Sequence, residues 1–133
     1  MEVLSFETDK FNLTVEGDNF INPNCFGEDF ANWLKPELEK KEIIVLDIYQ
    51  EDWGWELVCS DSEQKYYLGV GGLTENRNLN HGEWRVMFTK KRNLLNIILG
   101  SQKLTREENI ILIVKSILEQ ETEFSSIRFE NKV

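Results

Sequence analysis

A chain of 133 residues has the size of one domain, and 41% hydrophobic with 29% charged residues is a composition typical of globular proteins. Two cysteines exclude a disulfide framework, and no apolar run approaches the ~20 residues of a membrane span. No signal peptide is recognisable at the N-terminus, so we expect a single domain, residues 1–133, that is cytoplasmic and has no membrane partner.

The net charge of −9 is unevenly distributed along the chain. Residues 1–63 contain 16 acidic and 4 basic residues (16 − 4 gives −12), whereas residues 64–133 contain 8 acidic and 11 basic residues (11 − 8 gives +3). An acidic surface repels phosphate backbones, which argues against direct nucleic-acid binding, and it attracts basic proteins. The alternative is that the acidity only maintains solubility.

The first predicted elements are short strands followed by a helix. Apolar alternation between Val3 and Val15 predicts one or two strands. Asn22-Pro23 predicts a helix start, because Asn caps helices and Pro suits the first helical position. A four-residue apolar spacing predicts that this helix continues to about Lys41; the stripe consists of Phe26, Phe30, Leu34 and Leu38, with Trp33 beside it. Pro36 removes one helical hydrogen bond, so we expect a kink there.

The middle of the chain predicts an antiparallel meander. The β-branched run at 43–49 predicts a strand buried on much of both faces. Segments 55–60 and 66–70 follow as strands separated by turn residues. Residues 71–82, rich in Gly and Asn, predict a loop, and 83–89 predict a further strand.

The last third predicts a second long helix and an edge strand. Residues 93–99 fit either a short strand or two helical turns. Thr105 and Glu108 have the spacing of a capping box, and the helix that they introduce should bury Ile110, Ile113, Val114, Ile117 and Leu118. Residues 125–130 predict an edge strand. The fold class is therefore α+β: two layers, with a mainly antiparallel sheet of about five to seven strands and two main helices on one face.

The residues that could act in catalysis are not accompanied in the sequence by the other residues that a catalytic or phosphate-binding motif requires. His81, the only histidine, is interpreted as a turn residue, and Cys59 as part of the core. Cys25 lies near a predicted helix N-terminus, where a thiol pKa can be lowered, but no base is assigned beside it. The glycine-rich segment 69–72 lacks the Lys-Ser/Thr of a P-loop and is interpreted as turn glycines. We expect no enzyme active site, no metal and no cofactor.

Segment 51–56 (EDWGWE) combines two tryptophans with three carboxylates at a predicted turn. In a structural interpretation, Trp55 fills the core, Trp53 covers the helix and Asp52 bonds turn amides. In the alternative, the segment is a recognition patch, because aromatic side chains beside charges are typical of interface hot spots. A general acid–base pair of carboxylates is a third interpretation without a second supporting feature.

Several motifs resemble those of a family of small, uncharacterised bacterial proteins. The most specific is the Asp-Trp-Gly-Trp core at residues 52–55, and Asn22-Pro23 matches the Asn-Pro helix start of that family. The remaining matches are Phe26-Gly27, Trp33-Leu34, Tyr67-Leu68-Gly69-Val70-Gly71, Trp84 and Ile127. The resemblance covers most of the chain except residues 73–82, and it implies no catalytic residues. Acidic proteins of this kind are similar to immunity proteins, by analogy and not by a motif.

Two functional hypotheses follow. The first is a non-enzymatic protein-binding domain, an immunity protein or inhibitor that neutralises a basic toxin or nuclease through an acidic surface. Its predicted partner-binding residues are Glu28, Asp29, Glu51, Asp52 and Trp53. The alternative is a small-molecule or peptide-binding module with an aromatic pocket between sheet and helix. That pocket would be lined by Trp53, Trp55, Tyr66 and Trp84.

Overall fold

The computed structural model describes residues 1–22, 25–73 and 81–131. Its strands are β1 (Glu2–Thr8), β2 (Ile44–Glu51), β3 (Gly54–Ser60), β4 (Lys65–Leu73), β5 (Gly82–Lys90) and β6 (Ser125–Phe129). Its helices are α1 (Glu28–Glu39), α2 (Leu94–Leu99) and α3 (Asn109–Gln120). The predicted α+β class is confirmed, with α1 and α3 as the two main helices.

The strands form one antiparallel sheet in the order β2-β3-β4-β5-β1-β6. The meander from β2 to β5 is built of sequential hairpins, as its turn residues predict. β1 then pairs with β5 on one side and with β6 on the other. The β2–β3 turn therefore lies at one end of the sheet, whereas α2, which follows β5, begins at the other end.

One face of the sheet is covered by helices and contains the core. Alternate residues of β3, β4 and β5 point to this face and are buried: Trp55, Leu57, Cys59, Tyr66, Leu68, Val70, Trp84, Val86 and Phe88. The predicted stripe of α1 packs against them through Phe30, Leu34 and Leu38, with Trp33 partly buried beside it. From α3 the core receives Ile110, Ile111, Val114, Ile117 and Leu118. The residues between these positions point to the second face of the sheet, which no helix of the described residues covers, and we call it the open face.

Helix α1 begins later than the Asn22-Pro23 pair predicts. Its first residue is Glu28 and its N-cap is Gly27, whose φ of 153° is unfavourable for other residues. Asn22 instead donates its side-chain amide to the β2–β3 turn, and Pro23 lies outside the described residues. The Asn-Pro helix start was therefore wrong, whereas Glu28 and Asp29 do lie in the first turn. Pro36 lies inside α1.

Three further predictions differ from the structure. β2 is an edge strand with Ile44 and Leu46 more than half exposed, so it is not buried on both faces. The glycines of segment 69–72 lie within β4 and not in a turn. Glu108 is the N-cap residue of α3, but no side-chain capping bond forms, so the predicted capping box with Thr105 is wrong. Residues 94–99, left open between strand and helix, are helical.

Candidate functional site

Four of the five predicted partner-binding residues are carboxylates that the fold brings to one end of the molecule. Glu28 and Asp29 lie in the first turn of α1, and Glu51 and Asp52 lie at the β2–β3 turn. The chain that precedes α1 contacts the β2–β3 turn, because the side-chain amide of Asn22 donates to the Glu51 carbonyl and to Asp52 Oδ1. We call Glu28, Asp29, Glu51 and Asp52, together with Trp53, the acidic end.

Hydrogen bonds hold the chain that precedes α1 against the acidic end. Asp29 Oδ2 accepts the backbone N–H of Asn12 at 2.7 Å, and Glu28 Oε2 accepts the side-chain amide of Asn19 at 2.9 Å. The Gln50 side chain accepts the N–H of Asn22 at 2.8 Å and donates to its carbonyl at 3.0 Å. Since Asp29 also accepts the N–H of Phe30, part of its role is to order the backbone.

The carboxylates of the acidic end have no ion-pair partner among the described residues. Among residues 1–22, 25–73 and 81–131, none of Glu28, Asp29, Glu51 and Asp52 forms an ion pair. Five of the seven ion pairs between described residues use a carboxylate from the second half of the chain, and the two others use Glu2 and Glu37. The part of the chain that the structure describes thus supplies no ion-pair partner for these four carboxylates.

Trp53 and Trp55 diverge although both belong to the turn segment. Trp55 is buried in the core and donates its indole N–H to the Cys25 carbonyl at 2.8 Å, as the structural interpretation expects for a core residue. Trp53 is 47% exposed and does not cover the helix. Its ring lies over Gly69 on the open face, where a Cβ on Gly69 would approach the ring to 2.4 Å. Gly69 therefore leaves the space that the Trp53 ring fills.

The open face carries a groove beside Trp53 that the sequence did not reveal. Its volume is about 420 Å³, and Gly69 and Gly71 contribute no side chains to its lining. The other lining residues are Met1, Trp53, Glu56, Gly72, Leu73, Glu83, Arg85, Met87 and Thr89. The charged members are engaged within the protein: Glu56 accepts the Tyr49 hydroxyl, and Glu83 and Arg85 pair with Arg128 and Glu130. We call this cavity the open-face groove.

The four aromatic residues predicted to line one pocket between sheet and helix, Trp53, Trp55, Tyr66 and Trp84, do not surround a common cavity. Trp55, Tyr66 and Trp84 are each less than 5% exposed, because they point to the helix-covered face and fill the core. Trp53 lines the open-face groove on the opposite face, whereas Trp55 lines a separate cavity of about 350 Å³ between α1 and β2. The sequence signal that could have located the open-face groove is the segment Gly69-Val70-Gly71, in which strand alternation places two glycines on one face.

The cysteines and the histidine are not brought together. The Cys25 thiol donates to the Asp52 carbonyl at 2.9 Å, and burial, then the charges of Asp52 and Glu16, raise its pKa. Burial also raises the pKa of the Cys59 thiol to about 12. His81 is exposed immediately before β5. Among the described residues, no group of three or more His, Cys, Asp or Glu side chains could hold a metal ion.

Comparison with protein-family models, with curated proteins and with solved structures finds no match for this chain. None of the helices among the described residues combines the length and apolar character that crossing a membrane requires.

Proposed function

We propose that the protein is a non-enzymatic protein-binding domain whose acidic end binds a basic protein. The most specific form of this proposal is an immunity protein or inhibitor that covers a basic toxin or nuclease. The observation that carries it is the set of Glu28, Asp29, Glu51 and Asp52, which form no ion pair with any described residue, and the half-exposed Trp53 directly follows Asp52 in the turn.

The arrangement of charge supports a partner more than it supports solubility alone. Charges that only maintain solubility can be scattered, whereas here one end of the sheet and the start of one helix carry four carboxylates together. Complementary potentials accelerate association and exclude like-charged partners. Basic residues of a partner would supply the counter-charges that the described residues do not provide to these carboxylates.

The composition of the acidic end also fits an interface. Trp53 exposes about half of its side chain at the same turn as Glu51 and Asp52, and tryptophan is enriched among residues whose truncation costs the most binding energy. Hydrogen bonds from Asn19 and Asn22 already orient Glu28 and Asp52. Such preorganisation lowers the entropy lost when a partner binds.

Affinity capture from the source cell tests the proposal when three forms of the protein are compared. The first is the wild type, and the second is the double variant Glu51→Lys/Asp52→Lys. The control is Glu39→Lys/Glu107→Lys, which changes the net charge equally at two exposed residues that form no ion pair with a described residue. We expect one basic protein to be recovered at low salt with the wild type and the control but not with the first double variant.

Salt dependence gives the second readout. Recovery should fall as ionic strength rises, because exposed charges are screened beyond about 10 Å at 0.1 M salt. Equal losses with both double variants would show that only net charge matters, and failure to recover any basic protein would also contradict the proposal.

The open-face groove favours a second candidate function, the binding of a small apolar ligand or peptide side chain. Its volume of about 420 Å³ lies within the range of ligand sites, and its charged residues are paired within the protein. A thermal-shift screen tests this, since a ligand at 100 times its dissociation constant stabilises a protein by about 2.7 kcal/mol. Met87→Glu should abolish the shift, whereas Leu112→Glu on the exposed side of α3 should retain it.

A further inference from the structure

Helix α2 exposes an unusual concentration of apolar surface. Leu94, Leu95, Ile97, Ile98 and Leu99 are between 55% and 72% exposed, and no residue of the helix is buried. We call these five side chains the α2 patch. Scattered exposed leucines are ordinary, but a contiguous patch of large aliphatic side chains indicates an interaction site.

Local capping, and not packing against the core, holds α2 in place. Asn93 accepts the N–H of Asn96 at 2.8 Å, and Gly100 closes the helix in the left-handed conformation with φ of 68°. The Arg92 guanidinium donates to the carbonyls of Asn96 and Ser101 at 2.9 and 3.1 Å. The helix is therefore ordered while its apolar side chains remain in solvent.

Positive charge adjoins the α2 patch. From Trp84 to Arg106 the sequence contains six basic residues and no acidic residue. Among the described residues, the side chains of Lys91, Arg92 and Lys103 have no carboxylate partner. The acidic end lies at the opposite end of the sheet, so these cations are separated from the four carboxylates by roughly the length of a strand, ~20 Å.

We propose that the α2 patch inserts into the surface of an anionic lipid membrane, with Lys91, Arg92 and Lys103 at the headgroups. At 100° per residue the five apolar side chains surround more than half of the helix. A flat protein surface would contact one stripe of such a helix, whereas acyl chains contact every side. Six residues extend about 9 Å, far less than the ~30 Å hydrocarbon core of a bilayer. The proposal therefore departs from the expected absence of a membrane partner, and it concerns contact with one leaflet and not a span.

Nearby acidic residues limit the electrostatic contribution. Gln64 bonds the Lys91 carbonyl at 2.6 Å, which places the β3–β4 turn with Asp61 and Glu63 beside the basic segment. Apolar insertion must therefore supply most of the binding. Each unpaired Lys or Arg near an anionic membrane surface increases the affinity for that membrane about fivefold.

A second copy of the chain is the other occupant to consider. A stable protein interface uses about 20–30 residues a side, far more than the α2 patch provides. A twofold contact between two patches would also bring Lys91 and Lys103 of one copy close to those of the other. Both observations favour lipid.

Vesicle co-sedimentation of the full chain tests the proposal. We expect binding to vesicles of phosphatidylcholine mixed with phosphatidylglycerol, and several-fold weaker binding to vesicles of phosphatidylcholine alone. Ile98→Glu should weaken binding by at least about tenfold, because it replaces an inserting aliphatic group with a charge. The control Leu112→Glu changes a leucine that is 50% exposed on α3 and should bind as the wild type does.

Three outcomes would overturn the proposal. One is the absence of binding to either type of vesicle. Another is that Ile98→Glu binds the vesicles as strongly as the wild type does, or that the control Leu112→Glu loses as much vesicle binding as Ile98→Glu. The third is a dimer in sedimentation equilibrium that Ile98→Glu dissociates in the absence of vesicle binding, which would assign the α2 patch to a second copy. None of these outcomes depends on the acidic end.

Discussion

Replacing Glu108 by Ala should destabilise the fold markedly, because Glu108 has two partly or fully buried hydrogen-bond donors as partners. Its carboxylate accepts the hydroxyl of Tyr66 at 2.9 Å on one oxygen and the ammonium of Lys90 at 3.0 Å on the other. The Lys90 and Glu108 side chains are only 9% and 19% exposed, and Tyr66 is 3% exposed. The variant leaves a largely buried ammonium and a buried hydroxyl without an acceptor.

The magnitude follows from these two lost acceptors. A hydrogen bond to a charged group contributes about 1.5–3 kcal/mol, and breaking a buried ion pair costs about 3–5 kcal/mol. Because Glu108 retains some contact with solvent, we expect a loss of about 3 kcal/mol in the free energy of unfolding, or a fall of roughly 10 °C in Tm. Urea denaturation followed by circular dichroism measures it.

Two controls isolate the cause. Glu119→Ala removes an exposed i,i+4 pair with Lys115 and should cost only a few tenths of a kcal/mol. Lys90→Met added to Glu108→Ala should recover part of the loss, because it removes the stranded ammonium. A loss below about 1 kcal/mol for Glu108→Ala with an unchanged m-value, or no recovery in the double variant, would refute this reasoning.

Three further predictions concern single side chains. The hydrogen bond from Ser5 lowers the pKa of the Glu130 carboxyl below 4.5. The stabilisation that the ionised Glu130 contributes is therefore present above that pH and is lost as pH falls through the folded-state pKa. Glu130→Gln should make the free energy of unfolding less dependent on pH in acid, and an unchanged pH dependence would contradict this. Burial raises the thiol pKa of Cys25 and Cys59, so alkylation at about pH 8 should be slower than for a free thiol at Cys25 and absent at Cys59 until the protein unfolds. Acrylamide should quench a component of tryptophan fluorescence that Trp53→Phe removes; equal quenching in that variant would place another indole in solvent.

Periodicity predicted the parts of the fold that depend on burial of one face. The apolar spacing of Phe30, Leu34 and Leu38 identified the buried side of α1, and alternation placed Trp55, Leu57 and Cys59 in the core. These predictions hold because each element must bury its apolar side somewhere, whatever lies opposite.

Position within the sheet and the use of polar side chains were not predictable in the same way. The β-branched run of β2 identifies a strand but does not say whether neighbours flank it on both sides, and β2 proved to be an edge. Asn22 and Glu108 had the sequence contexts of helix caps, but each found other partners in a distant element: the β2–β3 turn for Asn22, and Tyr66 and Lys90 for Glu108. A local motif forms only if no tertiary contact competes for the same groups.

The sequence by itself determined that this protein is acidic in its first half and α+β in class, because charge and apolar periodicity are properties of the chain. Only the tertiary structure decided where that charge collects. It joined Glu28 and Asp29 to Glu51 and Asp52, which lie more than twenty residues apart, and left them without ion pairs among the described residues. It also opened a groove over Gly69 and Gly71 and left the α2 patch in solvent, since exposure depends on which elements pack together and not on which residues they contain.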